Sequence, residues 1–211
     1  MSANNYYNDI VLSAVTVLED GGTMLYPTDT IWGIGCDATN AVAVEKIYAI
    51  KQRDHSKSML ILCEDLAMVE HFVGRIGEDA AKLLLASDRP TTVILPLTIP
   101  QEKSLDNIQN TKYKIQNSIA TNLVALDGTI GVRIPRMDFC QQLLHELGRP
   151  VVSTSANFSG SPSPSSFAEI DDALKQRVDY CVPPEYELSS DGRGSRIVKV
   201  DTLGRITVIR P

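Results

Sequence analysis

Hydroxyl and carboxylate side chains follow the first predicted strand of the chain. The run TMLYP at 23–27 reads as a short strand, and Thr28, Asp29 and Thr30 come directly after it. Because α/β sheets bind ligands beyond the carboxyl ends of their strands, these groups could contact a polar ligand or a metal ion. An Asx-type turn, in which Thr and Asp hydrogen-bond their own backbone, explains the same residues without a ligand.

Three cations lie within seven residues where the second helix is predicted to end. Lys51, Arg53 and Lys57 occur in the stretch KQRDHSK. Ammonium and guanidinium groups bind phosphate or carboxylate, and an arginine can do so through two parallel hydrogen bonds. Lysine and arginine also favour helix C-termini, where they complement the helix dipole. The cluster alone therefore does not require a ligand.

Two further stretches could contribute to one polar site. Arg133 lies in the strand TIGVRIP with Val132 and Ile134 on the opposite face, so its side chain faces either solvent or a cleft. The stretch STSANFSG at 153–160 follows a buried strand and is rich in hydroxyl groups. Its small side chains would let backbone N–H groups approach an anion. A flexible loop rich in Ser and Pro is the alternative.

The elements that must position these residues alternate between strand and helix. Strands are predicted at 23–27, 58–63, 91–97, 129–135, 150–155 and 178–182, with a C-terminal hairpin of SRIVKV and RITVIR. Helices are predicted at 9–20, 40–52, from 65, and at 78–86, 118–126, 138–147 and 167–176. Residues 28–40 are predicted to be a loop, and 99–117 a long surface excursion. This pattern predicts one α/β domain over 1–211 with a mixed, twisted sheet.

Composition excludes several classes of protein. Of the 211 residues, 43% are hydrophobic and 22% charged, which argues against a disordered chain. The net charge of −6 argues against binding of nucleic acid through non-specific charge, although a local basic groove stays open. No apolar run is long enough to span a membrane, and the N-terminal stretch MSANNYYND does not resemble a signal peptide.

Histidine and cysteine provide little support for a catalytic triad or a metal site. His55, His71 and His145 are isolated along the chain, and neither common phosphate-binding loop motif is present. The four cysteines are widely spaced without a C-x-x-C pair, which predicts reduced, mostly buried thiols in a cytoplasmic protein.

Taken in order, the motifs resemble the YrdC/TsaC family of threonylcarbamoyl-adenylate synthases. The stretch YPTDTIWGIG matches the family's Y-P-T-[ED]-T-x-[YW]-G-[LI]-G pattern, and SANFSG at 155–160 matches S-A-N-x-S-G. Lys51 and Arg53 supply K-x-R, VRIP supplies V-R-x-P, and VIRP supplies a terminal strand that ends in arginine. The resemblance extends from about Gly22 to Arg210.

The resemblance implies a single YrdC-like domain whose twisted mixed sheet and helices surround a deep, concave, basic cavity. It also implies a reaction that combines L-threonine, bicarbonate and ATP into threonylcarbamoyl-AMP and pyrophosphate. Mg²⁺ would accompany ATP without dedicated protein ligands. The product would supply the t6A modification of tRNA adenosine 37, with transient contact to tRNA-modification partners and no membrane association.

The resemblance also assigns roles to individual residues. It makes Lys51 and Arg53 catalytic, and places L-threonine against Thr30 and Ser153. The residues that it places against ATP are Lys51, Arg53, Lys57, Thr92, Ser155, Asn157, Ser163 and Arg210.

Departures from the family pattern leave the substrate open. The expected K-G-R-P reads Lys51-Gln52-Arg53-Asp54, a histidine expected at the end of the next strand is Leu62, and the late S-T-[VI] reads Ser195-Arg196-Ile197. The K-x-R-D form, together with SDRPTT at 87–92 in place of W-P-G-P-L-T, resembles the YciO-like branch, although that branch typically lacks the S-A-N that this chain retains. A non-catalytic nucleotide or double-stranded RNA binding protein is therefore the alternative function.

Alternation along the late strand decides where Arg196 is expected to point. It places Arg196 on the same face as Val198 and Val200, and two valines suggest an inward face. The side chain is therefore predicted to face the cleft, where it would bind a substrate carboxylate. If it faces solvent instead, Ser195 takes that role.

Overall fold

The computed structural model describes residues 3–98, 118–187 and 192–211. The predicted excursion at 99–117 lies outside the described residues. The strands within the described part are β1 (Met24–Tyr26), β2 (Gly33–Gly35), β3 (Leu60–Leu62), β4 (Thr91–Pro96), β5 (Thr129–Arg133), β6 (Val151–Ser155), β7 (Tyr180–Cys181), β8 (Arg196–Val200) and β9 (Ile206–Arg210). The helices there are α1 (Ala3–Glu19), α2 (Ala41–Lys51), α3 (Leu66–Phe72), α4 (Glu78–Ala86), α5 (Asp138–Leu147) and α6 (Asp172–Lys175).

The strands form one mixed sheet in the order β7-β1-β2-β6-β3-β5-β4-β8-β9. The pairs β1–β7, β3–β5 and β4–β8 are parallel, whereas the other neighbouring pairs are antiparallel. The predicted fold class, α/β with a twisted mixed sheet, is confirmed. The predicted C-terminal hairpin is also confirmed, because β8 and β9 pair directly.

The helices begin and end where their sequences provide caps. Asn40 accepts hydrogen bonds from the backbone N–H groups of Val42 and Ala43, which start α2. Gln52 ends the same helix in a left-handed conformation with φ of 51°. Gly148 ends α5 in the same way. The end of α2 is therefore a sharp change of direction, and it brings the basic stretch at 51–57 toward the sheet.

One face of the sheet packs against helices α2, α3 and α4. Residues of this face are buried against the helices, and they include Ile61, Val93, Val132, Val152 and Val198. On the opposite face, α1 and α5 pack over Met24, Tyr26, Leu62 and Val151. This second layer covers only part of its face, and none of the helices in the described ranges lies over a region of β3, β4, β5, β6 and β8.

Three local predictions were wrong. Residues 33–35, assigned to a loop, form strand β2 between β1 and β6. The predicted helix at 118–126 is only a 3₁₀ turn at Thr121–Leu123, and the one at 167–176 is a 3₁₀ turn followed by the short α6. Strand β2 escaped detection because two of its three residues are glycines, which are typical of turns.

The four cysteines are free thiols, and Cys36, Cys63 and Cys140 are buried, as the spacing predicted. Within the described ranges, no helix is long and apolar enough to cross a membrane.

Gly35 is expected to be irreplaceable, because a Cβ atom at this position would lie 2.2 Å from the carbonyl oxygen of Val152 and 2.8 Å from Tyr26 Cε1. Gly35→Ala should lower the free energy of unfolding by about 3 kcal/mol, since neither backbone nor ring can move away without strain. Gly77→Ser is the control, because Gly77 has open space around its Cβ position and caps α4. It should change the stability by less than about 0.5 kcal/mol. Urea denaturation of both variants measures the difference, and equal stabilities would contradict the close packing of β2 on β6.

Candidate functional site

A cavity of about 700 Å³ lies over the part of the sheet that α1 and α5 leave uncovered. Its floor follows the strand register. Ser153, Leu60, Gly131, Ile94 and Lys199 lie side by side across five neighbouring strands. With strands about 4.8 Å apart, this row spans roughly 19 Å. The floor therefore carries a hydroxyl at one end, small or apolar residues in the middle and a cation at the other end.

Arg133 joins the floor to the turn between β1 and β2. Its side chain is only 3% exposed, and its Nη1 donates a hydrogen bond of 2.8 Å to Thr30 Oγ1. Its Nη2 lies 3.5 Å from Asp29 Oδ1. Arg133 also lines the cavity, so the two alternatives left open by its strand are decided in favour of the cleft.

The turn after β1 both hydrogen-bonds its own backbone and lines the cavity, so the two interpretations of its sequence hold together. Thr28 Oγ1 accepts from the backbone N–H of Thr30 and donates to the carbonyl oxygen of Ile31 at 2.7 Å. The hydroxyls of Thr28 and Thr30 also lie 2.9 Å apart, and both residues line the cavity. Self-capping of the turn therefore holds these hydroxyls in fixed positions at the edge of the cavity.

Lys51 is buried rather than exposed to a cleft. Its side chain is 1% exposed, and its Nζ donates to the backbone carbonyls of Ser155 and Asn157. The carbonyl of Lys51 in turn accepts from the backbone N–H of Ser159 at 2.9 Å. A catalytic, ATP-binding Lys51 would be expected to be exposed to a cleft, but the loop that follows β6 folds over the end of α2 and buries it. Lys51 holds this loop in place and does not line the cavity.

Burial and, to a smaller extent, the charge of the neighbouring Arg53 lower the pKa of Lys51 to about 7. A neutral amine keeps two N–H bonds, which is enough for the two carbonyls it contacts.

Arg53 does reach the cavity. Its Nε donates to the carbonyl oxygen of Lys57 at 2.8 Å, and its Nη2 donates to that of Ser58 at 2.9 Å. Partial burial lowers the pKa of Arg53 below the usual arginine value. The guanidinium is thus fixed by backbone acceptors beside Ser56 and Ser58, which also line the cavity.

Strand β8 and the end of β9 form the opposite wall. Thr92 Oγ1 and Ser195 Oγ lie 2.7 Å apart. Arg210 donates from Nε and Nη2 to the carbonyl oxygen of Ser195, at 3.0 and 2.6 Å. Burial lowers the pKa of Arg210, and the charges of Arg89 and Arg133 add to this effect. Several cations therefore share one cavity.

The expected direction of Arg196 was wrong. Alternation along β8 does place it with Val198 and Val200, but those valines belong to the core under α2, α3 and α4. Ser195, Ile197 and Lys199, on the other face, line the cavity, and Arg196 does not. The two valines mark an inward face, as expected. That face is the hydrophobic core rather than the cleft.

The residues proposed from the sequence divide into two groups. Seven line the cavity: Thr30, Arg53, Thr92, Ser153, Ser155, Ser163 and Arg210. Four do not line it: Lys51, Lys57, Asn157 and Arg196. Asn157 instead donates within its own loop to the carbonyl oxygens of Phe158 and Ser161. The roles assigned to all of them stay predictions.

The cavity also contains polar residues that the sequence analysis did not propose for the site. They include Ser56, Ser58, Asp127, Thr129 and Lys199. Two-residue alternation on β5 and β8 would have found Thr129 and Lys199 once the cavity face was known.

Leu62, at the position of the expected histidine, is buried under α1 and α5 and does not line the cavity. In the ranges that the structure covers, no group of three or more His, Cys, Asp or Glu residues could hold a metal ion.

Comparison with protein families gives a match over nearly the whole chain. The Sua5/YciO/YrdC family model, described as telomere recombination, matches residues 16–211. The threonylcarbamoyl-AMP synthase of Pseudoalteromonas translucida is 31% identical over 178 residues, which are 82% of this chain and 84% of that protein. The threonylcarbamoyl-AMP synthase of Acinetobacter baylyi is 27% identical over 203 residues, 93% of this chain and 95% of that protein.

Solved structures share the fold. P. abyssi Sua5, in a complex with L-threonine, superposes with a TM-score of 0.79 at 22% identity. The match covers 97% of this chain but only 54% of that one, so the chain spans little more than half of Sua5. E. coli YciO superposes with a TM-score of 0.73 at 25% identity, over 97% of this chain and 89% of YciO.

Lys51 should make stability depend on pH. An unfolded lysine titrates near 10.5, whereas folding lowers the pKa of Lys51 to about 7, so the unfolded chain binds more protons between these values. Stability therefore rises with pH across this window. We expect the free energy of unfolding of the native protein, relative to Lys51→Met, to increase from pH 7 to pH 10.

The control is Lys46→Met on the same helix, since Lys46 is exposed and its Nζ donates to the carbonyl oxygen of Gly21. Urea denaturation at several pH values measures both differences. A difference between native protein and Lys51→Met that is independent of pH would show that Lys51 is not desolvated.

Proposed function

The chain belongs to the Sua5/YciO/YrdC family, and we propose that it synthesises threonylcarbamoyl-AMP from L-threonine, bicarbonate and ATP with release of pyrophosphate. The observation that carries this proposal is the convergence of three separate motifs on one cavity. Thr30, Arg53 and Ser155 come from distant parts of the sequence and line the same 700 Å³ space. Curated relatives that match more than four fifths of the chain are threonylcarbamoyl-AMP synthases.

The chemistry fits a cavity rich in cations and hydroxyls. The amine of threonine adds to CO₂ derived from bicarbonate and loses a proton, giving a carbamate. A carbamate oxygen then attacks the α-phosphorus of ATP, and the bond to the β-phosphate oxygen breaks to release pyrophosphate. An anion attacks an anion, so charge neutralisation and placement matter more than a strong base.

The described side chains suit those roles. Arg53, fixed by two carbonyls, would neutralise phosphate charge, and Arg210 would do so from the opposite wall. Thr30 and Ser153 would contact L-threonine, with Arg133 holding Thr30 in position. Lys51 would act through the 155–159 loop, by fixing the backbone carbonyls of Ser155 and Asn157 and thereby positioning Ser155 beside the nucleotide.

We further propose that Mg²⁺ enters with ATP. The phosphate oxygens would supply most of its ligands, because Mg²⁺ usually keeps several waters and takes few protein ligands at nucleotide sites. When bound, the ion would reduce the charge on the phosphates.

The product would supply t6A modification of tRNA in the cytoplasm, through transient contact with other tRNA-modification proteins.

The competing function is a nucleotide or double-stranded RNA binding protein without turnover. The likeness to E. coli YciO over nearly the full length of both chains favours it. Binding of RNA through several phosphates would weaken steeply between low and moderate salt. Tight, salt-dependent binding of double-stranded RNA without pyrophosphate release would favour this alternative.

The direct test measures pyrophosphate release from ATP with Mg²⁺, bicarbonate and a panel of amino acids. We expect release with L-threonine, and a loss of about 100-fold in kcat/KM for Arg53→Ala, the scale seen when a charge-stabilising group is removed. Lys82→Ala is the control, because Lys82 is an exposed residue of α4 that pairs with Glu78 and Asp79. Absence of release above background from folded protein would defeat the proposal.

Ser195 rather than Arg196 should influence the amino-acid substrate. Ser195 contacts Thr92 inside the cavity, whereas Arg196 lies on the opposite face of β8. Ser195→Ala should raise the KM for L-threonine about 10-fold, because a cavity hydroxyl is lost. Arg196→Thr should leave the amino-acid profile unchanged. Both are measured in the same assay after thermal unfolding confirms that each variant is folded. A changed profile for Arg196→Thr would contradict the placement of its side chain.

A further inference from the structure

An ion pair crosses the outer end of the cavity floor. Lys199 Nζ lies 2.6 Å from Asp127 Oδ2, and both residues line the cavity. Lys199 ends the row that begins at Ser153, and Asp127 precedes strand β5. The other oxygen of Asp127 accepts from the hydroxyl and the backbone N–H of Thr129. The carboxylate is therefore held at the start of β5, and the ammonium extends to it from β8.

The pairing of Lys199 with Asp127 differs from the contacts of the three arginines that line the cavity. Arg53 and Arg210 are held by backbone carbonyls, which carry no net charge. Arg133 pairs with Asp29, which does not line the cavity. Among the described cations of the cavity, only Lys199 faces a carboxylate that lines the cavity too. A ligand anion arriving at this end would meet a cation and its competing anion together.

The pair is also easy to separate. The side chains of Lys199 and Asp127 are 36% and 53% exposed, and ion pairs at this level of exposure are weak. Lys199 and Thr129 lower the pKa of Asp127 to about 2, so the carboxylate stays ionised at neutral pH. Protonation therefore does not free Lys199. A competing anion can do so.

The strand register shows how far this cation is from the first motifs. Four strand spacings separate Lys199 from Ser153, or roughly 19 Å. Ile94 and Ile197 lie next to Lys199 on the floor, and Arg210 pairs with Ile197 on the neighbouring strand. Lys199 and Arg210 thus form a cationic end opposite Ser153, which suits an elongated ligand with a second anionic group.

We propose that Lys199 is an anion-binding residue of the cavity, and that Asp127 neutralises it until a phosphate or carboxylate of the ligand takes its place. This inference rests on the proposed function, because it assumes that an anionic substrate enters this cavity. Asp127 would then disfavour weakly charged ligands, which cannot displace it.

Two variants separate the partners with little structural change. Lys199→Met keeps the aliphatic stem and removes the charge. Asp127→Asn keeps an oxygen that can accept from Thr129 and removes the competing charge. Asp201→Asn is the matched control. Asp201 also accepts from backbone N–H groups through Oδ1 and lies 2.6 Å from Arg205 Nε through Oδ2, but neither residue lines the cavity.

The experiment measures binding by isothermal titration calorimetry on the full chain, with ATP, inorganic pyrophosphate and L-threonine in separate titrations. If Lys199 binds a phosphate, Lys199→Met should weaken the binding of ATP or pyrophosphate about 10-fold, and Asp127→Asn should tighten that binding about threefold. If Lys199 binds the substrate carboxylate, the same changes should occur with L-threonine instead. Asp201→Asn should leave all three affinities unchanged.

Affinities within twofold of the native protein for both Lys199→Met and Asp127→Asn, with all three ligands, would overturn the inference and leave a structural ion pair. An equal gain in affinity for Asp201→Asn and Asp127→Asn would also overturn the inference, because the change in net charge alone would explain the gain. Pyrophosphate release by native protein, together with unchanged binding in the variants, would refute the inference without affecting the proposed function. Ligand binding that depends on Lys199, in a protein that releases no pyrophosphate, would support the inference and refute the proposed function.

Discussion

Helices α1 and α5 cover only part of one sheet face, and the cavity depends on the part that these two helices leave uncovered. Side chains alternate between the two faces of every strand. Where helices cover both faces, the strands carry apolar residues such as Val151 and Val152. Further along the same strand, Ser153 lies beyond the cover of α1 and α5 and lines the cavity. One strand thus changes from core to site within two residues.

The buried Lys51 connects this cavity to the rest of the fold. Burying an ammonium is costly unless it is hydrogen-bonded, and here two backbone carbonyls of the loop after β6 accept from it. The arrangement ties the end of α2 to that loop. Arg53 and Ser155, from those two segments, consequently reach the same cavity. A motif residue can therefore help to position a site without facing it.

The floor of the cavity combines positive charge with small or apolar residues. Gly131 has no Cβ, and one there would lie 3.2 Å from Leu60 Cβ and 3.3 Å from Thr92 Cγ2. The glycine keeps the middle of the floor low between Ser153 and Lys199. A hydroxyl at one end, cations at the other end and a low centre suit a long anionic ligand better than a compact neutral one. This shape explains how an acidic protein, with a net charge of −6, can still offer a basic site.

Much of the architecture was predictable from the sequence. Local signals determined α2, α4, α5 and the C-terminal hairpin, because caps and periodicity act within a few residues. The motifs around Thr30, Arg53 and Ser155 indicated the family and the class of ligand. The tertiary structure alone decided which strand face becomes the cavity, because that depends on how far α1 and α5 extend over the sheet. For this reason alternation paired Arg196 correctly with two valines yet assigned it to the wrong side. The burial of Lys51 likewise depends on a loop more than 100 residues away in sequence, a contact that no local pattern encodes.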